Sequence, residues 1–536
     1  MNTSAFSKFT DNPRKLLIVD LFLAVPFLIL PLFVSLPYRV NIFLSWEGAY
    51  RIHLGQTPFE DFGLPMGFGY WLIPTLFFKI FGPTFMALIK AQVFINLISL
   101  ASLRGLLYNL KLKPIAISIT LLVFSLTYII YNFWPWYNHS VVVFEIVALY
   151  FLTTYSNEKT KLKNIIGLIL AGLFTFLSFF TKQDVGALCF LICAFLIAYY
   201  SLLDKKVYPL LVYVGSFIVI GAIFIIPFLQ DGFTYWFNLG QAPHSSRITP
   251  GLILDIFFSR SLLEKVYLIT ILILLYANFN SWREFITNKE VFTVSIISMA
   301  LILQSMVTRA TSPLPTDHMN YYHTFALAGI ALFLPWNKLT SKLITILLFV
   351  GLIGLSFSEG YWKYIAGVFS GKTEIANEGT QKIQAKPWVK SKQSTMRNVT
   401  LPEETQQGID RILALPFLKK ENLQVLNMSE LTPLAHEIGY VPITQQPLWY
   451  HLNIGIFQKE VDEFKVKVSN KSYDLVLFER IPSLTEFYPT EVRSELSKDY
   501  VLVDTFLAPR KLEDSYIDVF VHPDIATQYN LKPRED

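Results

Sequence analysis

A carboxylate, a phenol and a guanidinium stand close together in the run Ser45-Trp46-Glu47-Gly48-Ala49-Tyr50-Arg51, shortly after the first long apolar block of the chain. Glu47 there could take a proton from a hydroxyl. It could equally cap a short helix or pair with Arg51, four residues on, as an ordinary surface ion pair. Further along, Glu60 and Asp61 are adjacent and could hold a divalent cation, against the simpler reading of an Asx turn leading into the next amphipathic stretch. A third group, Thr181-Lys182-Gln183-Asp184, separates two apolar blocks. A lysine and an aspartate at such an edge are costly unless paired or solvated, so the group is a functional candidate; the alternative is a snorkelling pair that marks the interface. The remaining candidates are Tyr137-Asn138-His139 after Trp134-Pro135-Trp136, then His244 with Arg247, Arg309, and Asp317-His318 near Tyr321-Tyr322-His323. The two tryptophans read first as an interfacial belt, and His318 as a polar loop residue rather than a base.

The elements that must position these residues are membrane helices. The 536 residues are 53% hydrophobic and 16% charged, well under the roughly 25% charge of soluble chains. Apolar blocks of the length needed to cross a bilayer recur from Leu16 to about Ser358. They predict about eleven spans, near 16–37, 84–108, 114–132, 140–156, 164–181, 185–203, 208–229, 263–280, 291–309, 321–336 and 342–358. Alternate loops are rich in lysine and arginine, among them Lys8, Arg14 and Lys15, Lys159, Lys161 and Lys163, and Lys205 and Lys206. By the positive-inside rule those loops and the N-terminus are cytoplasmic, which puts the C-terminal part outside, in a periplasm or its equivalent. The candidate residues then gather on the outer face, above all in the first outside loop, 38–83. A net charge of +5 spread over short loops gives no footprint for nucleic acid.

In that first loop the acid beyond the first span, the tyrosine three residues on, the element Gly55-Gln56-Thr57-Pro58-Phe59-Glu60-Asp61-Phe62 and the Pro65-Met66-Gly67 before an aromatic stretch ending Ile80-Phe81-Gly82 resemble the GT-C glycosyltransferases. Protein O-mannosyltransferases and the aminoarabinose transferase of lipid A belong to that superfamily. The resemblance covers the membrane region, most clearly Leu16 to about Ser201. It implies a multi-pass enzyme, in a bacterial inner membrane, that moves a sugar from a polyprenyl-phosphate donor to an extracytoplasmic lipid, polysaccharide or protein. It implies further that Glu47, where the family usually has aspartate, activates the acceptor. The chemistry is consistent: a lipid phosphate is already a stabilised leaving group, so the protein must chiefly supply a base and cations. On that reading Lys182 holds the donor phosphate, with Arg247 and Arg309 as further phosphate ligands and Tyr50, Asp61, Tyr137, Asn138, His139, Asp184, Asp317 and His318 lining the substrate site. The resemblance fixes no cofactor; some relatives use a divalent cation, for which Glu60 and Asp61 are the candidates.

Composition shifts at about Gly371. Residues 1–370 read as the membrane domain, 371–396 as a linker and 397–536 as a soluble α/β domain. Strands are predicted at Leu423 to Met428, Tyr473 to Phe478, Tyr500 to Thr505 and Ile517 to Val521, with helices at Pro402 to Leu413, Leu431 to Ile438, Ile454 to Val468 and Thr490 to Ser497. This part carries no phosphate loop, metal-spaced Cys/His set or nucleophile elbow. Two other function classes compete with the transferase: a lipid-linked oligosaccharide ligase or polymerase, which would concentrate its signal in a late arginine-rich loop, and a lipid or sugar transporter, which would place ionisable residues at mid-membrane in two repeated halves.

Overall fold

The computed structural model describes residues 13–38, 42–157, 160–230, 249–311, 320–334, 336, 387–453, 455–481, 487–509 and 515–534. The first helix, α1 (Pro13–Ile29), continues as a 3-10 turn Leu30–Leu32. A buried helix α2 (Ile42–His53) and an amphipathic helix α3 (Leu72–Phe81) then lie in the first connecting segment. The main bundle follows: α4 (Phe85–Asn109), α5 (Pro114–Thr127), α6 (Tyr137–Asn157), α7 (Lys161–Thr181), α8 (Gln183–Asp204), α9 (Tyr208–Ile225), α10 (Leu262–Asn278), α11 (Lys289–Thr311) and α12 (Tyr322–Ala331). Local signals set several of these ends. Gly82 at φ +81° breaks the chain between α3 and α4, and the Thr84 hydroxyl accepts from the Ala87 amide to cap α4. Pro114 opens α5, and Lys205 in the left-handed region closes α8.

Among the described residues seven helices are long and apolar enough to cross a membrane, a smaller number than the eleven expected. The expected spans at 16–37 and 263–280 are helices of 17 residues and the one at 321–336 has 10 helical residues, while 342–358 lies outside the described residues. Apolar block length overstated helix length here, because Pro31 and Phe33 end the first helix early and the blocks include flanking turns. The outward faces carry exposed Ile18, Phe22, Ile218, Val219, Ile223, Leu272 and Ile273. Such surface needs lipid around it, and the chain is a multi-pass membrane protein.

The C-terminal region carries strands, as expected. Strands β5 (Val425–Met428), β7 (Leu475–Arg480), β8 (Val501–Leu507) and β9 (Tyr516–Val521) form one sheet in the order β5-β7-β9-β8, parallel between β5 and β7 and antiparallel elsewhere. Helices α13 (Glu403–Leu413), α14 (Gln458–Ser469) and α15 (Thr490–Asp499) accompany it, within a residue or a few of the predicted bounds. The buried Asp518 is held by Arg480 at 3.1 Å and Arg493 at 2.7 Å.

The expected linker ends earlier than 396. Trp388–Lys390 (β3) pairs antiparallel with β4 (Val399–Pro402), and the Thr395 carbonyl accepts from the Phe85 amide at 2.7 Å; the rest of 371–386 lies outside the described residues. Two further pairings tie the C-terminal region to the first connecting segment. Strand β1 (Leu36–Pro37) runs parallel to β4, and β2 (Phe62–Gly63) runs parallel to β6 (Gln446–Pro447). One apolar core accordingly runs from Tyr38, Ile42, Trp46 and Phe85 to Val425, Leu475 and Val519.

Glycines let the first segment lie against the bundle. A Cβ at Gly67 would overlap the carbonyl oxygen of Phe180 at the end of α7, whereas one at Gly215 would meet nothing. Gly67→Ala is therefore expected to destabilise the detergent-solubilised protein by about 1–3 kcal/mol, as overpacking does, and to lower its melting temperature. Gly215→Ala should leave the melting temperature unchanged or slightly raised, and equal melting of the two variants would refute this packing.

Candidate functional site

Helix α2 presents Glu47 from a position fixed on every side. The Trp46 ring stacks on Tyr50 at 4.5 Å, and its indole N–H donates to the Pro83 carbonyl at 3.2 Å. The Trp71 indole donates to the Leu44 carbonyl at 2.9 Å, and its ring fills the space that a Cβ at Gly48 would need. Gly48 thus lets α2 press flat against Trp71.

Glu47 pairs with Arg51, as the spacing of four allowed, but the pair is buried: the Arg51 side chain is 1% exposed and that of Glu47 10%. Arg51 Nε donates to Glu47 Oε1 at 2.9 Å, and Nη2 lies 2.8 Å from the same oxygen as the closest approach of the ion pair. Its Nη1 donates to Gln56 Oε1 at 3.0 Å and to the Ile443 carbonyl at 2.8 Å, and Gln56 Nε2 donates to the Pro442 carbonyl at 2.7 Å. The C-terminal region therefore closes over this pair. Tyr440 and Tyr450, both buried, lie within electrostatic reach of Glu47 and Arg51, and His436 meets the edge of Tyr50 at 5.9 Å. Burial pushes the Glu47 carboxyl above its ordinary range, and the Arg51 charge and hydrogen bonds partly reverse this. Burial also lowers His53, with help from His436 and Lys79, and raises the Tyr440 and Tyr450 phenols.

A second group forms where α7 turns into α8 through the single extended residue Lys182. Lys182 Nζ lies 3.1 Å from Asp184 Oδ2, with side chains 13% and 23% exposed. Asp184 acts electrostatically on Tyr137, whose ring meets Tyr70 edge-on at 6.1 Å and stacks on Trp136 at 5.2 Å. Asn138 and His139 are buried at the start of α6, and Tyr128 donates to the His139 carbonyl at 2.8 Å. Tyr70 packs against Trp71 at 4.9 Å. Through that tyrosine and tryptophan the second group adjoins the helix that carries Glu47.

The other expected site residues are placed differently. Asp61 Oδ2 accepts from the Thr57 amide at 2.7 Å, and the Asp61 carbonyl accepts from Gln445 at 2.5 Å, so Asp61 builds a turn that also joins the C-terminal region. Glu60 is exposed, and among the described residues no group of three His, Cys, Asp or Glu side chains is placed to hold a metal ion. Arg309 pairs with Glu264 at 2.5 Å and donates to the Arg260 carbonyl at 2.9 Å, so its guanidinium is engaged within the protein, beside Tyr322 and away from Glu47's immediate partners. Arg247, Asp317 and His318 lie outside the described residues, as does His244. Sequence reasoning missed His436, Tyr440 and Tyr450, for which it holds no motif. It also missed Glu145, a lone acid inside an apolar run, which is a recognisable signal.

The chain is a multi-pass helical bundle with a loop helix that bears the buried acid and a strand-containing C-terminal region. The chain overlays the structure of ArnT from Cupriavidus metallidurans in the apo state with a TM-score of 0.52 at 11% identity, covering 94% of this chain and 97% of that one. Weaker overlays link it to an oligosaccharyltransferase from Archaeoglobus fulgidus, in complex with Zn and sulfate (TM-score 0.43, 11% identity, 91% of this chain and 71% of that one), and to the same ArnT bound to undecaprenyl phosphate (TM-score 0.35, 11% identity, 94% and 97%). The fold assignment rests on the first of the three. No protein-family model matches the sequence, and no curated protein matches it.

The geometry fixes the order of two titrations. In difference infrared spectra, the carboxyl band lost in Glu47→Gln should titrate above the ordinary value of 4.5, because burial outweighs Arg51. Since Arg51 favours the ionised form, Arg51→Gln should move that midpoint further up. A midpoint at or below 4.5, or a downward move, would contradict the arrangement.

Proposed function

We propose that this protein is a membrane glycosyltransferase that moves a sugar from a polyprenyl-phosphate carrier to an acceptor hydroxyl outside the cytoplasm. The observation that carries the reading is the buried Glu47–Arg51 pair on the loop helix of a GT-C-type fold, roofed by Tyr440 and Tyr450. The carrier class is supported by ArnT, which has been solved with undecaprenyl phosphate bound.

In this mechanism Glu47 takes the acceptor proton as the acceptor oxygen attacks the anomeric carbon, and the sugar-to-phosphate bond breaks to leave the lipid phosphate. Burial suits Glu47 to the task by raising its basicity, while Arg51 favours its ionised form and fixes one oxygen, leaving Oε2 for the acceptor. Lys182 neutralises the departing phosphate from the α7–α8 turn, with Asp184 holding the ammonium in place. On this reading Tyr50, Tyr137, Asn138 and His139 meet the sugar between the two groups. The segment 440–450 shapes the acceptor side. The enzyme sits in a bacterial inner membrane with its N-terminus cytoplasmic and its C-terminal region outside, in keeping with the lysine and arginine bias of the loops.

The test is turnover of a panel of undecaprenyl-phosphate sugars by purified protein, with added envelope lipid and glycan as acceptors, following release of undecaprenyl phosphate. Glu47→Gln should retain folding and lose about 10²–10⁴-fold in rate, the usual contribution of a general base. Release that is equally fast in Glu47→Gln would remove Glu47 from the mechanism, and no release from any donor would remove the transferase itself.

A further inference from the structure

Inside the helix bundle a polar group lies apart from Glu47. Glu145 on α6 and Gln304 on α11 face one another, and Gln304 Nε2 donates to Glu145 Oε2 at 2.6 Å and to the Tyr321 hydroxyl at 3.2 Å. Glu145, Gln304 and Tyr321 are 1%, 2% and 1% exposed. Their remaining capacity is one-sided. Glu145 Oε1 and Gln304 Oε1 are both buried acceptors, and neither accepts a hydrogen bond from a described residue. Buried acceptors left without donors are costly, so the group is built to meet a molecule that brings donors to it.

The position says from where that molecule comes. Glu145 is eight residues along α6 from Tyr137, a rise of about 12 Å. Tyr137 lies at the Lys182–Asp184 turn, and Tyr321 feels both Asp184 and Glu145. Tyr321 thus stands within electrostatic reach of the Lys182–Asp184 turn and is bonded to Gln304, in a part of the bundle whose apolar core includes Ile146, Leu301 and Phe325. Hydroxyl groups of a sugar supply O–H donors in the number and kind that two adjacent acceptors require.

We propose that Glu145, Gln304 and Tyr321 form a polyol-binding subsite that recognises hydroxyls of the sugar on the lipid carrier, while the phosphate stays at the Lys182–Asp184 turn. The proposal rests on the transferase reading above and extends it to the choice of sugar. Glu145 and Gln304 accept from the sugar hydroxyls, Gln304 stays anchored through its N–H donors, and a carrier without a sugar leaves the acceptors unmet.

The test is equilibrium binding in nanodiscs of undecaprenyl phosphate alone and of undecaprenyl phosphate carrying glucose, mannose or N-acetylglucosamine. Wild type should bind at least one sugar-bearing lipid about tenfold more tightly than the bare one, about 1.4 kcal/mol. In Glu145→Ala that preference should fall to near one with the affinity for bare undecaprenyl phosphate retained. Glu145→Gln and Tyr321→Phe, which keep side-chain volume, should each reduce the preference as well, and they serve if the alanine variant does not fold. An unchanged preference in folded variants overturns the subsite. So does wild type that binds the bare lipid and shows no preference for any sugar, the result expected of a site filled by water alone. Wild type that binds no lipid phosphate at all overturns the transferase reading together with the subsite.

Discussion

A guanidinium carries five N–H donors, and a buried one must place all of them. Arg51 gives its Nε–H to Glu47, brings Nη2 within ion-pair distance of the same oxygen, and reaches Gln56 and the Ile443 carbonyl through Nη1. That single requirement joins three parts of the chain that are far apart in sequence: the loop helix, the turn after it and the C-terminal region. Without the Ile443 carbonyl the guanidinium would be left short of a partner, and without the guanidinium the Glu47 carboxylate would be a buried, uncompensated charge. The ion pair is therefore less a source of net stability than a condition that the surrounding fold has to satisfy.

The fold satisfies it with backbone pairing more than with side-chain detail. Two two-residue parallel pairs, Leu36–Pro37 on Val399–Thr400 and Phe62–Gly63 on Gln446–Pro447, bracket the loop helix on either side and set the height of segment 440–450 above Glu47. The turn built by Asp61 adds a third tie through Gln445, and the Gly67 and Gly48 contacts hold the same segment against Phe180 and Trp71 from below. Glu47 is held between a membrane bundle and a soluble-type sheet while belonging to neither.

This arrangement explains what the sequence disclosed. The apolar blocks and the strands at 423–428, 473–478, 500–505 and 517–521 were legible because burial within one element leaves a pattern in that element. Seven of the spans were legible for the same reason, and the shorter helices were not distinguished from them because an apolar block does not announce where a proline or turn ends the helix. Glu47 and Arg51 could be read as a pair from their spacing alone. Their burial could not, since it is supplied by Tyr440, Tyr450 and Ile443, and two-residue strands such as Phe62–Gly63 carry no periodicity to reveal a partner near the other end of the chain. Of the two readings that the sequence offered for Asp61, a ligand or an Asx turn, the local hydrogen bond from the Thr57 amide is the kind a turn makes.

Two kinds of buried polar group occur in this molecule. Around Asp518 the fold supplies Arg480, Arg493 and the Thr505 hydroxyl, so that carboxylate is matched from within and is part of the scaffold. Around Glu145, among the described residues, the fold supplies one amide donor, that of Gln304, and leaves Oε1 without a partner. Glu47 lies between these extremes, with one oxygen doubly held and the other not drawn into the Arg51 contact. Saturation marks structure, and a deliberate shortfall in a rigid, buried setting marks a surface shaped for something that arrives from outside.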